Sequence, residues 1–142
     1  MSIQDDIMRA LSDLTQDGLF TVSRVHYDAR AFGNVLVELI SPANIKLRII
    51  SDRGSTWCEV GIDSAPEKWY WLEDLLTVIG ASDVQVDSGP DLIRALVSIS
   101  KTVRDNINRI VEAVGREHIS NTIRRLDELT CRRKLERLKE WR

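Results

Sequence analysis

Ile3, Ile7, Met8, Leu11 and Leu14 recur at spacings of three and four, the signature of a helix with one apolar face. Ser2 stands where an N-cap belongs, Asp5 and Asp6 follow in the first turn, and Gly18 supplies a stop, so the spacing predicts a helix over Ser2–Asp17. From Phe20 the period drops to two. Phe20 and Val22 share one face and Val25 and Tyr27 are expected on the other, a phase change that predicts a strand with a bulge near Ser23 and Arg24. Two more runs, Val35–Ile40 and Ile45–Ile50, flank Ser41, Pro42, Ala43 and Asn44, a turn composition that joins them as a hairpin. Asp52, Arg53 and Gly54 make the next turn. Cys58, Val60 and Ile62 then alternate with Trp57, Glu59, Gly61 and Asp63 in a fourth strand. None of these connections is long enough for a parallel crossover, so a four-stranded antiparallel meander is expected.

Pro66 is expected to open a helix running through Trp69, Leu72, Leu75, Leu76 and Ile79 to a stop at Gly80, covering the apolar face of the sheet together with the first helix. Beyond a loop from Ala81 to Gly89, Pro90 suits the first turn of a long helix, and Leu92, Leu96, Ile99, Val103, Ile107, Ile110 and Val114 form a continuous packing stripe. Gly115 loosens it, and Ser120 can cap a last helix carrying Ile123, Leu126, Leu129, Leu135 and Leu138. The expectation is an α+β chain: a body over residues 1–89 made of helix, four strands and helix, then a C-terminal long helix or helical hairpin over residues 90–142 packed on the body or on a second subunit. Self-association through those C-terminal helices is expected.

The composition is that of a folded domain, with 43% apolar and 30% charged residues among 142. No run approaches the roughly 20 apolar residues of a membrane helix, and Asp5 and Asp6 stand where a secretory leader would be basic, so a cytoplasmic protein is expected. The net charge of −2 hides a division. Residues 1–90 hold 14 acidic and 7 basic groups, whereas residues 91–142 hold 8 acidic and 13 basic, net −7 against net +5. Such a chain can attract a basic partner through one part and an acidic partner through the other.

Chemistry-bearing patterns are sparse. His26 and His118 belong to no pattern for nucleophilic catalysis, and Cys58 and Cys131 are too far apart in sequence for a metal-binding pair, so no metal, cofactor or catalytic residue is assigned. The seven glycines are scattered as turns and helix stops, without a phosphate loop. Asp63, Glu67, Glu73 and Asp74 gather around the end of the fourth strand, with Asp83 and Asp87 in the next loop. They are either helix N-terminal acids and solvated loops or a negative surface that imitates nucleic-acid phosphates towards a basic protein. Trp69, Tyr70 and Trp71 on one helix cannot all face a core, so Tyr70 is expected to be an exposed interface anchor, with Trp57 a second candidate. The candidate partner-binding set is therefore Trp57, Asp63, Glu67, Tyr70, Asp83 and Asp87.

Phe32-Gly33-Asn34 before the strand Val35–Ile40, then Ile49-Ile50-Ser51-Asp52-Arg53-Gly54, Val60–Asp63 and Trp69 with Leu72 form an ordered series. Over about Phe20–Ile79 it resembles the small bacterial immunity proteins of polymorphic toxin and contact-dependent growth inhibition systems. The resemblance implies a non-enzymatic inhibitor that binds a cognate toxin domain and blocks its active site or substrate path, and the acidic body suits a nuclease target. Two other readings stand beside it: a nucleic-acid-associated regulator using the basic tail, and a small enzyme using His26, Asp28 and Arg53.

Overall fold

The computed structural model describes residues 2–28, 30, 33–81 and 85–140. Helices α1 (Ile3–Ala10) and α2 (Ser12–Thr15) are followed by strands β1 (Thr21–Asp28), β2 (Asn34–Ile40), β3 (Ile45–Asp52), β4 (Ser55–Ile62) and β5 (Ala65–Trp71). Helices α3 (Leu72–Val78), α4 (Leu92–Asp105), α5 (Ile107–Val114) and α6 (Ile119–Glu140) complete the chain. The strands form one antiparallel sheet in the order β1-β2-β3-β4-β5. The α+β meander is as expected, but it has five strands.

The fifth strand replaces the first two turns of the helix expected from Pro66. Trp69, Tyr70 and Trp71 are strong strand formers, and Pro66, which has no N–H to give, is tolerated at the start of an edge strand. Pairing Tyr70 with Val60 and Trp69 with Gly61 supplies the backbone bonds, and the helix begins only at Leu72. The first helix is also shorter than expected, breaking at Leu11 before the turn α2. Its start is as read: Ser2 Oγ accepts the Asp5 N–H at 3.2 Å. Met8, placed with the apolar set, faces outward, while Ile7, Leu11 and Leu14 are fully buried.

The turns follow from local chemistry. Arg53 and Gly54 both take positive φ, 50° and 85°, as a two-residue hairpin demands, and Asp52 pairs with Ser55 across it. Between β2 and β3, Asn44 also has positive φ, and its side chain ties three elements together. Its Nδ2 donates to Val114 O at 3.0 Å and to Ser64 Oγ at 3.1 Å, and its Oδ1 accepts from Ser64 N. The expected bulge falls between Val22 and Arg24, but Val25 and Tyr27 do not move to the other face: the extra residue restores the phase, so they share the face of Val22, opposite Val37 and Val35.

All the described helices lie on one face of the sheet. Val35, Val37, Leu39, Ile45, Leu47, Ile49, Val60 and Ile62 point into a single core with Ile7, Leu11, Leu75, Leu96, Ile110 and Leu126, so residues on both sides of Pro90 share one apolar interior. The long stripe after Pro90 is divided at Asn106, whose Nδ2 donates back to Thr102 O, and again at Gly115, where α6 turns away. The first half of α6 packs on α3, burying Thr122 and Leu126, whereas every residue from 131 to 140 is exposed. Arg133 still reaches Asp74 of α3, and the seven residues beyond it project about 10 Å at 1.5 Å per residue.

Candidate functional site

The opposite face of the sheet carries no helix among the described residues. Because antiparallel partners share a face, the strand register writes its surface as rows. One row runs His26, Leu36, Ile50, Trp57; the next runs Arg24, Glu38, Arg48, Glu59, Trp71; a third runs Thr21, Ile40, Lys46, Gly61, Trp69. Leu36, Ile50, Trp57 and Trp69 are half-buried by their neighbours, while Ile40 is 50% and Trp71 36% exposed. An apolar sheet face of this extent, left without a cover, is the kind of surface that marks an interaction site.

Its polar groups are organised across the strands. Arg48 forks onto Glu59 Oε1, with Nε at 2.7 Å, and its guanidinium lies 4.1 Å from the Trp69 ring centroid. Lys46 Nζ lies over the same ring at 5.0 Å. Gly61 makes this stack fit, since a Cβ there would stand 2.6 Å from Lys46 Cε and 3.2 Å from Trp69 Cζ3. Trp57 and Trp71 meet at 6.4 Å with their rings tilted by 57°. The Trp57 indole N–H is buried and has no partner among the described residues. Next to this cluster, His26, Asp28, Asn34, Arg48, Ile50 and Asp52 line a shallow depression of about 380 Å³.

The candidate acids do not form one cluster. Asp63 stands exposed in the β4–β5 turn and Glu67 near the start of β5, both by the end of β4. Asp87 lies near its other end, where Ser88 O accepts from Thr56 N, so about 20 Å of strand separates the two groups. Asp87 is occupied within its own loop, accepting from Gly89 N at 2.8 Å and pairing with Arg94 at 3.2 Å. Asp83 lies outside the described residues, as does Phe32 of the Phe-Gly-Asn turn. Asp74 is fully buried in the first turn of α3 and bonded to Arg133.

Tyr70 is also a correction. It is 4% exposed, because the strand alternation turns Trp69 and Trp71 outward and Tyr70 inward. Its hydroxyl donates to Asp127 Oδ1 at 2.7 Å, and Lys68 Nζ reaches Asp127 Oδ2 at 3.0 Å. Burial and the adjacent carboxylate push the Tyr70 phenol well above its usual range. Burial alone would raise Asp127, but the Tyr70 hydroxyl and the Lys68 ammonium outweigh it and hold the carboxyl below the ordinary carboxylate value. With Arg125 donating to Val78 O at 2.9 Å and Arg133 on Asp74, these bonds clasp the middle of α6, from Arg125 to Arg133, to β5 and α3. The aromatic anchors that sequence reasoning missed are Trp69 and Trp71. Strand alternation through Trp69-Tyr70-Trp71 would have separated them from Tyr70.

His26 and Asp28 share the outer face of β1 and line the shallow depression with Asn34 and Asp52. Arg53, in the adjoining β3–β4 turn, donates its backbone N–H to Asn34 Oδ1 at 3.2 Å, and an Asp52 oxygen stands 3.9 Å from its Nε. Cys58 is buried, which pushes its thiol upward, and Cys131 is exposed on α6; both are free. No group of three or more His, Cys, Asp or Glu among the described residues is placed to hold a metal ion. No helix of the described residues is long and apolar enough to cross a membrane. The chain matches no protein-family model, no curated protein and no solved structure.

Proposed function

We propose that the chain is a non-enzymatic immunity protein that binds a cognate toxin domain carrying a basic surface, such as a nuclease, and blocks its active site or substrate path. The observation that supports this reading is a pair of uncompensated carboxylates: Asp63, in the β4–β5 turn, and Glu67, near the start of β5, stand exposed with no ion-pair partner among the described residues. Seven of the thirteen cations of residues 91–142 lie on α6. Carboxylates held this way attract a basic surface and raise the encounter rate. The test is co-expression with the toxin domain encoded beside it. Protection supports the reading, and cell death at equal expression ends it. With the purified pair, Asp63→Asn together with Glu67→Gln is expected to slow association several-fold and to flatten its salt dependence, leaving dissociation nearly unchanged.

One observation favours a second reading, a nucleic-acid-associated regulator. The exposed half of α6 displays Arg132, Lys134, Arg137 and Lys139 to solvent. Binding to duplex nucleic acid that weakens steeply with salt and disappears on truncation after Thr130 would favour it.

A further inference from the structure

The charged row on the uncovered sheet face has an order that selects its own partner. Reading across β1 to β4, Arg24, Glu38, Arg48 and Glu59 alternate in sign. We infer that the helix-free face of the sheet is covered by a second copy of the chain, packed face to face about a two-fold axis that runs parallel to the strands between β2 and β3.

The argument is one of symmetry and charge. A two-fold pairing of identical faces has two simple orientations. An axis across the strands lays Arg24 on Arg24 and Glu59 on Glu59, like on like. An axis along the strands reverses the row, so Arg24 meets Glu59 and Glu38 meets Arg48 of the second copy; each added charge extends the Arg48–Glu59 pair that a protomer already forms, and each contact occurs twice. The same operation lays Leu36 on Ile50 in the neighbouring row, which gives the charged pairs an apolar flank. Sheets pack about 10 Å apart, a gap that arginine, glutamate and tryptophan side chains fill from both sides. Strand spacing and residue rise give the face about 500 Å² per protomer, or about 1,000 Å² in total, the lower bound of a specific interface. A reversible, weak dimer is therefore expected.

The exposed half of α6 is the poorer place for a second copy. Leu135 and Leu138 are 55% and 65% exposed, but five cations against two carboxylates, Glu136 and Glu140, share residues 131–140 with them, so two tails brought together would confront a net positive charge on each side. This inference does not depend on the toxin reading, and its test uses the chain alone.

The experiment is sedimentation equilibrium of the full chain over a wide concentration range. The wild type is expected to show a monomer–dimer equilibrium. Glu38→Arg, an exposed-face change that sets Arg against the second copy's Arg48, is expected to weaken it at least tenfold, and Ile50→Asp should abolish it. Inverting the whole row, with Arg24→Glu, Glu38→Arg, Arg48→Glu and Glu59→Arg together, restores a self-complementary order. That variant should dimerise again but not exchange subunits with the wild type. A monomer at every concentration overturns the inference. So does a dimer indifferent to both Glu38→Arg and Ile50→Asp, or one lost on truncation after Thr130, which would place the contact on α6. If the wild type is monomeric and Ile50→Asp abolishes toxin binding while remaining folded, the face belongs to the toxin instead.

Discussion

Truncating Leu47 to alanine tests the phase of the central strand, on which both faces of the sheet depend. Leu47 is 1% exposed in the middle of β3, between Leu39 and Val60 on the flanking strands. The change removes three buried carbon groups, worth about 2.4 kcal/mol at ~0.8 kcal/mol each. If the neighbours close half of a vacated volume of roughly 70 Å³, the remaining cavity adds about 1 kcal/mol at ~24 cal/mol per Å³. A central strand fixed by hydrogen bonds on both sides has little room to collapse, so a loss of about 3 kcal/mol is expected, within the usual range of roughly 2 to 5. For a chain of this size that lowers Tm by about 10 °C. Urea unfolding followed by tryptophan fluorescence and circular dichroism, with an unchanged m value, gives the number directly. Ile40→Ala, on the opposite face and half exposed, is the control and is expected to cost less than about 1 kcal/mol. A loss below about 0.5 kcal/mol at Leu47, or equal losses at the two positions, would refute the assignment of faces.

The α6 clasp is expected to respond to pH at both ends. Asp127 has a lowered folded-state value, so its contribution is present above the unfolded value of 3.8 and is lost as pH falls through the folded one; Asp127→Asn should flatten the acid limb of a stability profile. Tyr70 has a raised value, so its contribution is complete below 10.0 and declines as pH rises beyond it, and Tyr70→Phe should remove that alkaline decline. Gly61→Ala, whose Cβ would stand 2.6 Å from Lys46 Cε, 2.9 Å from its Cγ and 3.2 Å from the Trp69 ring, is expected to displace Lys46 from the ring, seen as a shift in tryptophan emission, and to destabilise the fold because Cγ lies too close to the backbone to swing clear. Unchanged emission would show that the stack is not formed in solution.

Much of the fold was legible in the sequence because its signals are local. The Ser2 cap, the positive-φ turn at Arg53 and Gly54, the Ser41–Asn44 connection and the alternation of Ile45, Leu47 and Ile49 each depend on residues within a few positions of one another. The bulge at Ser23 was legible for the same reason, as a break in phase within one strand. The candidate site was much less so. Trp57 did lie on the outer face, as alternation implied, but Tyr70 was read in the wrong geometry because Pro66 and the leucines after Trp71 look helical when taken without the β4 partner that captures Ala65–Trp71 as a strand.

The strands and turns from Phe20 to Ile62, the inward set of apolar residues on β2 to β4 and the division of charge can all be read from neighbours along the chain. Long-range packing is what makes residues near 65–71 a fifth strand, holds Tyr70 and Asp74 inward on Asp127 and Arg133, and sets Asp63 and Asp87 at opposite ends of β4. It also decided that every described helix packs on one side, leaving Trp57, Trp69 and Trp71 on the other. The physical reason is separation along the chain: Tyr70 and Asp127 are 57 residues apart, as read from their bond. Periodicity reports which residues share a face, but not which distant element arrives to cover it.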